Sequence, residues 1–241
     1  MEKVKLERFI SKYNLGGACE SVKLVSDGDT LKVRAHSDDK NILTEVTVDD
    51  IKFPEGEFSL YETRKLRSLL GVLGDSLAIT PNKSTSKMVG LNLADSNTKV
   101  TFVLSDESVI PKVPELKKLP NSEVEIMLDE KFINTFAKAK GALSEVDTFT
   151  VLSTGEDNVA SVIIGYSSLN TNRVSISANT KTNAKLDAIS FSATHFKEVL
   201  MANKEIQTGT LKISSKGIAV AEFTGDKFTS KYYLVQIDTK D

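Results

Sequence analysis

The feature that most constrains this chain is a pattern of elements that runs through it twice. Lys5-Leu6, Ile10 and Lys12 return 126 residues later as Lys131-Phe132, Phe136 and Lys138. Val22, Leu24 and Gly28 return at an offset of 127 as Phe149, Val151 and Gly155, and Leu66–Leu70 returns at 130 as Phe196–Leu200. One such match arises by chance; the same order of elements twice does not. The 241 residues therefore read as two α+β domains of about 110 residues, each long enough to bury its own core.

Leu6, Phe9, Ile10 and Tyr13 fit the i, i+3, i+4, i+7 template of an amphipathic helix. By the same reasoning helices are expected over about 3–14, 62–73, 130–142 and 195–204. Alternating, β-branched and aromatic runs such as Val100-Thr101-Phe102-Val103-Leu104 and Tyr232-Tyr233-Leu234-Val235 predict strands, broken at turns such as Asp95-Ser96-Asn97. The domains are placed at 1–106 and 123–241 with a connector at 107–122. That connector holds Pro111, Pro114 and Pro120, three of the five prolines. Proline removes backbone donors, so the segment should be extended and outside any central strand. Ile110, Val113, Leu116 and Leu119 are too apolar for a free tether and place it along a surface.

A formal net charge of −2 conceals a division. The four helical segments hold twelve basic residues against Glu7, Glu62, Glu130 and Glu198, a balance of +8, while the remaining 19 basic and 29 acidic residues give −10. Lys5, Arg8 and Lys12 stand at i, i+3, i+7, Lys131 and Lys138 repeat the i, i+7 part, Arg64 and Arg67 are three apart, and Lys197 and Lys204 seven apart. Each set forms a stripe distinct from the apolar one. Point charges along helices suit phosphates, with affinity supplied by counterion release. Aromatic residues for stacking single strands, and Asn, Gln and Arg patterns for reading base edges, are not evident in these segments. The expected ligand is duplex DNA, bound without sequence preference.

Chemistry is expected to be absent. Cys19 is the sole cysteine, which excludes an internal disulfide and fits a reducing, cytoplasmic setting. His36 and His195 lack companions at metal-ligand spacing. Lys83-Ser84-Thr85-Ser86-Lys87 lacks the glycines of a phosphate loop and reads as a polar loop. Ser26-Asp27-Gly28-Asp29 reads as a hairpin turn rather than a calcium loop, and Gly165-Tyr166-Ser167-Ser168 fails as a nucleophile elbow. No run approaches the roughly 20 apolar residues of a membrane span. No enzyme, cofactor or metal is expected.

With these residues in view, the chain resembles the sliding clamps of the proliferating cell nuclear antigen type, and in pattern those of T-even-like tailed phages above all. The resemblance is carried by Glu130-Lys131-Phe132-Ile133-Asn134-Thr135-Phe136, by Ile189-Ser190-Phe191-Ser192 leading into Phe196, and by Lys231-Tyr232-Tyr233-Leu234-Val235. It implies a DNA clamp fold, with antiparallel sheets outside and two helices per domain inside a ring. It further implies a head-to-tail homotrimer that encircles duplex DNA as a processivity factor in replication. Partners would be a DNA polymerase and an ATP-dependent clamp loader, in the host cytoplasm if the protein is viral. The DNA-facing residues implied are Lys5, Arg8, Lys12, Arg64, Arg67, Lys131, Lys138, Lys197 and Lys204. A partner-peptide pocket would take Ile42, Leu43, Val113, Leu116, Tyr233 and Val235, and the subunit interface Val100, Phe102, Val174 and Ile176. The competing reading is a structural or interaction protein made of a duplicated α+β domain, its basic helices merely solvated.

Overall fold

The computed structural model describes the chain except residues 85–86, 117, 170, 182–183, 207 and 239–241. Thr85 and Ser86, expected in a polar loop, lie outside the described residues.

The repeat read from sequence is a repeat of structure. The first copy runs α1 (Lys3–Asn14), β1 (Val22–Ser26), β2 (Leu31–His36), β3 (Ile42–Val48), β4 (Gly56–Leu60), α2 (Thr63–Leu70), β5 (Ala78–Ser84), β6 (Lys87–Ala94) and β7 (Lys99–Val103). The second adds β8 (Val124–Asp129) in front. It then runs α3 (Glu130–Ala142), β9 (Thr148–Thr154), β10 (Val159–Ile164), β11 (Val174–Asn179), β12 (Lys185–Ser192), α4 (Ala193–Ala202), β13 (Thr208–Ser214), β14 (Ile218–Gly225) and β15 (Phe228–Val235). The strand orders agree as well: β4-β1-β2-β3 answers to β12-β9-β10-β11, and β5-β6-β7 to β13-β14-β15, with β8 beside β13. In the first copy the counterpart of β8 is reduced to a single bridge, Glu2 to Ser76.

Two compact units result. One comprises Met1–Asp38, Thr44–Pro114 and Lys227–Ser230; the other comprises Asp39–Leu43, Glu115–Asp226 and Lys231–Asp241. In the first unit Leu6, Phe9, Ile10 and Tyr13 of α1 are all buried, as their spacing requires. Phe9 and Tyr13 meet edge to face at 5.4 Å, and the Tyr13 hydroxyl lies 3.3 Å from that of Thr63 in α2. Burial pushes the Tyr13 phenol well above its usual range, so it remains a neutral core group. In the second unit Phe132, Phe136, Phe149, Phe191 and Phe196 form one aromatic core, with Phe136 5.0 Å from Phe196 and 5.3 Å from Phe149.

Helix starts follow their local chemistry. The Asp129 carboxylate accepts from the Phe132 amide at 2.7 Å to cap α3, and the Ser192 hydroxyl accepts from the His195 amide at 3.1 Å to cap α4. His195 is a structural residue: its Nε2 lies 2.8 Å from Asp39 Oδ2 within the second unit. The Ser26–Asp29 segment is the expected turn, with Gly28 at φ 104° and the Asp27 carboxylate accepting from the Thr30 amide at 2.8 Å.

Asp95 does the same for the β6–β7 turn, accepting from the amides of Gly74, Asn97 and Thr98 at 2.6, 2.7 and 2.6 Å. Those amides, Gly74 first, hold its carboxyl below the ordinary 3.8. A carboxyl depressed in the folded state stabilises above its unfolded pKa, and that stabilisation is lost as pH falls through the folded value. Asp95→Ala is expected to melt below the parent at pH 7, with the gap narrowing as pH drops below 3.8; thermal melts from pH 7 to pH 2.5 check it.

Candidate nucleic-acid interface and connector groove

The helices keep their excess of positive charge with their observed boundaries: eleven basic residues against Glu7, Glu130 and Glu198, again +8. Two C-terminal boundaries fall short of expectation. The second helix closes at Leu70, and α4 ends at Ala202, which leaves Lys204 exposed in the turn that follows.

In the first unit the Lys5 ammonium donates to the Asp50 carbonyl at 2.8 Å. The Arg8 guanidinium sits 4.8 Å from the centre of the Phe228 ring. Lys12 does not belong to the predicted phosphate stripe. It is fully buried, with its Nζ 5.2 Å from the centre of the same ring. Its register within α1 is as expected, but the aromatic ring of a segment distant in sequence covers it, and a cation over a ring face is a stable buried arrangement. Arg64 and Arg67 of α2 are exposed; with Glu7, Ser11 and Ser68 they line a shallow depression beside α1. Arg64 Nε is 3.7 Å from Glu20, and Arg67 Nη1 is 3.5 Å from Asn14 Oδ1, contacts loose enough for both to exchange for a phosphate.

In the second unit Lys131 and Lys138 are exposed on one side of α3, with Asn134 and Thr135 exposed between them. Lys140 turns inward and donates to the Ser144 carbonyl at 2.6 Å. Lys197 of α4 is half-buried, 3.9 Å from Glu198. The set that is solvent-facing is thus Arg64, Arg67, Lys131, Lys138 and Lys204, with Lys5, Arg8 and Lys197 partly engaged.

The residues expected to form a partner pocket divide. In the second unit the Val235 amide donates to the Asn41 carbonyl at 3.0 Å, which lays the end of β15 along the 41–43 segment. Ile42 is fully buried there, and Leu43 and Tyr233 nearly so, so Ile42 is a core residue rather than a ligand contact. Val235 and Leu116 are exposed. Val113 lies elsewhere, in a groove of the first unit that the sequence pattern does not announce.

That groove follows from how the connector crosses β1 and β2. Alternation points Lys23 and Val25 of β1, and Lys32 and Arg34 of β2, to the outer face. The register sets Lys23 opposite Arg34 and Val25 opposite Lys32. Lys23 donates to Glu107 at 2.9 Å and to Glu57 at 3.0 Å; Glu107 first, then Glu57, hold its ammonium above the usual lysine range. Arg34 donates to Glu45 at 2.7 Å and to the Pro114 carbonyl at 3.0 Å. The connector is therefore pinned at Glu107 and at Pro114. Between the pins it spans a groove of about 1140 Å³ whose apolar lining includes Val25, Ile110, Pro111 and Val113. The signals in the sequence are the apolar Ile110 and Val113 of the connector and Val25, an apolar residue in an outward position among charged neighbours.

Of the strands expected to form a subunit interface, β7 and β11 each lie at the edge of their sheets. Val100, Phe102 and Ile176 face inward and are buried, with Val174 half-buried; the exposed side chains are Lys99, Thr101, Val103, Ser175, Ser177 and Asn179. Bonds from Leu104 to Val89 and from Thr180 to Asn158 fix the phase of the ladders. The amides of Thr101, Val103, Ser175 and Ser177 consequently point away from β6 and β10, toward the open edges. Among the described residues no group of three His, Cys, Asp or Glu is placed to hold a metal ion, and no helix is long and apolar enough to cross a membrane.

No family model matches the sequence, and no curated protein matches it. Among solved structures the chain is similar to the proliferating cellular nuclear antigen from Entamoeba histolytica, at a TM-score of 0.72 and 16% identity, over 98% of this chain and 96% of that one. The chain thus has the fold of proliferating cell nuclear antigen: two copies of an α+β unit, each with two helices and antiparallel sheets.

Proposed function

We propose that this protein is a sliding clamp, a non-enzymatic processivity factor that encircles duplex DNA and tethers a replicative polymerase. The observation that carries the reading is the division of charge. In a chain with this fold, the helices hold +8 and everything else −10. Phosphate contacts by Arg64, Arg67, Lys131, Lys138 and Lys204, assisted by Lys5, Arg8 and Lys197, are loose and carry no base readout. Such contacts suit a protein that must stay on DNA yet move along it. An acidic remainder discourages binding elsewhere. Closure of a ring would need a second agent, an ATP-dependent loader, to open it. The phage-like sequence pattern adds a viral clamp as the narrower version of this reading.

The ring is proposed to close head to tail through β7 of one copy and β11 of the next, three copies in all. The repeat supports this. Counterparts β3 and β11 occupy the same sheet position, and Asp49 at the end of β3 bonds Lys227 at the head of β15, the counterpart of β7. The mate of β11 would then come from a neighbouring β7. Pro81 on β5 guards the other edge of the three-stranded sheet, while Val103, 72% exposed, leaves β7 unguarded. Proline at Thr101 or Ser177 deletes one outward amide without breaking an internal ladder bond. Light scattering should give three times the 26.3 kDa of one chain for the parent and a single chain for Thr101→Pro and Ser177→Pro. A parent that stays monomeric at all concentrations removes the ring.

A further inference from the structure

We infer that Phe228 is a positioning residue for DNA binding, whose ring holds the Arg8 guanidinium where it meets a phosphate. This role rests on the clamp reading and adds to it a residue outside the helices, at the head of β15. Phe228 and Arg8 both belong to the first unit.

The Phe228 ring is 1% exposed, and its centre lies 4.8 Å from the Arg8 guanidinium carbon and 5.2 Å from the Lys12 ammonium. The face of an aromatic ring attracts a cation through its quadrupole, and more strongly where water is excluded. Lys12 is fully buried, so of the two cations only Arg8, half-buried with its Nε enclosed, still reaches solvent. A leucine at 228 would fill much the same space but offer no such face.

The ring is itself held in place. Phe228 follows Asp226 and Lys227, at φ 51° and 67°, a left-handed pair with no glycine to relieve it. Neighbouring groups fix this turn: the Asp49 amide donates to the Lys227 carbonyl at 3.0 Å, and the Lys227 ammonium lies 3.1 Å from Asp50. The Asp50 carbonyl also accepts from the Lys5 ammonium at 2.8 Å. One scaffold therefore seats both Lys5 and Arg8.

The second copy differs on both counts. At the offset of 126 that relates Lys5 to Lys131 and Lys12 to Lys138, Arg8 answers to Asn134. The β6–β7 turn, counterpart of the β14–β15 turn, reads Asp95-Ser96-Asn97-Thr98 and contains no aromatic residue. Lys138 is exposed where Lys12 is buried. Arginine and ring occur together in one copy and are both missing from the other. A ring that only filled a core would not need to accompany a cation.

The test uses the whole protein, with Phe228 exchanged for phenylalanine analogues carrying progressively more fluorine on the ring, which keep its shape and drain its quadrupole. Affinity for one labelled linear duplex is read by fluorescence anisotropy at several salt concentrations, below the melting temperature of every variant. Arg8→Ala should bind about five-fold more weakly at low salt and flatten the plot of log affinity against log salt by about 0.9, the slope of one phosphate. Fluorination should weaken the parent stepwise toward that level and leave Arg8→Ala unchanged, because the ring acts through the guanidinium. Phe228→Leu should behave as the most fluorinated ring does. A series that binds duplex with one affinity throughout, or that declines equally in the Arg8→Ala background, overturns the role of Phe228 and leaves the clamp reading standing. A parent without measurable affinity for duplex overturns both.

Discussion

Replacing Arg64, Arg67, Lys131 and Lys138 together by glutamate is expected to weaken binding to a short linear duplex by on the order of 100-fold at low salt. All four are exposed helical cations, two on α2 and two on α3. For every phosphate that the variant no longer neutralises, the plot of log affinity against log salt should also flatten by about 0.9. The matched control reverses Lys40, Lys118, Lys185 and Lys216, four exposed lysines outside the helices, and reaches the same net charge. If affinity followed net charge alone, both variants would lose binding equally. If the helices are the contact surface, the control stays close to the parent. Titration of both variants against one labelled duplex at several salt concentrations separates these outcomes.

The largest effect on stability is expected from Phe136→Ala. Its ring is fully buried and touches three others, Phe132 at 6.1 Å, Phe149 at 5.3 Å and Phe196 at 5.0 Å between centroids. Removing a phenyl group from such a site loses its transfer free energy and leaves a cavity, together about 3–5 kcal/mol. For a unit of this size that lowers the melting temperature by roughly 15 °C or more. Phe136→Leu, which keeps most of the volume, should cost much less. Chemical denaturation of the three proteins checks the order; a Phe136→Ala variant within about 1 kcal/mol of the parent would mean that the aromatic cluster is not the core of its unit.

Much of this fold is legible in the sequence because it is periodic. Leu6, Phe9, Ile10 and Tyr13 announce α1 by spacing alone, and the 126-residue echo at Phe132 and Phe136 announces α3. The strands of both copies follow from alternation, and the Ser26–Asp29 turn from its residue types. What the sequence leaves open depends on partners distant along the chain. Lys12 shares its stripe with Lys5 and Arg8, and only the position of Phe228 withdraws it from solvent. Ile42 looks like any apolar loop residue until its neighbours bury it. The connector groove depends on Arg34 finding the Pro114 carbonyl and Lys23 finding Glu107, two contacts that no local rule predicts. The strand β8 is hidden for a related reason: its counterpart in the first copy is a single bridge at Glu2, so the repeat does not mark it.

Closure of copies of this chain around DNA, as proposed, is a matter of topology. Thr101→Cys and Ser177→Cys in one chain place thiols on β7 and β11, while the native Cys19 is buried. Copies are assembled with circular plasmid and closed with a bifunctional maleimide, and the complex is washed in high salt. Closed rings should remain on the circle and leave after a single restriction cut opens it. Protein that high salt strips from circular and linear DNA alike, although cross-linked between copies, would contradict the account.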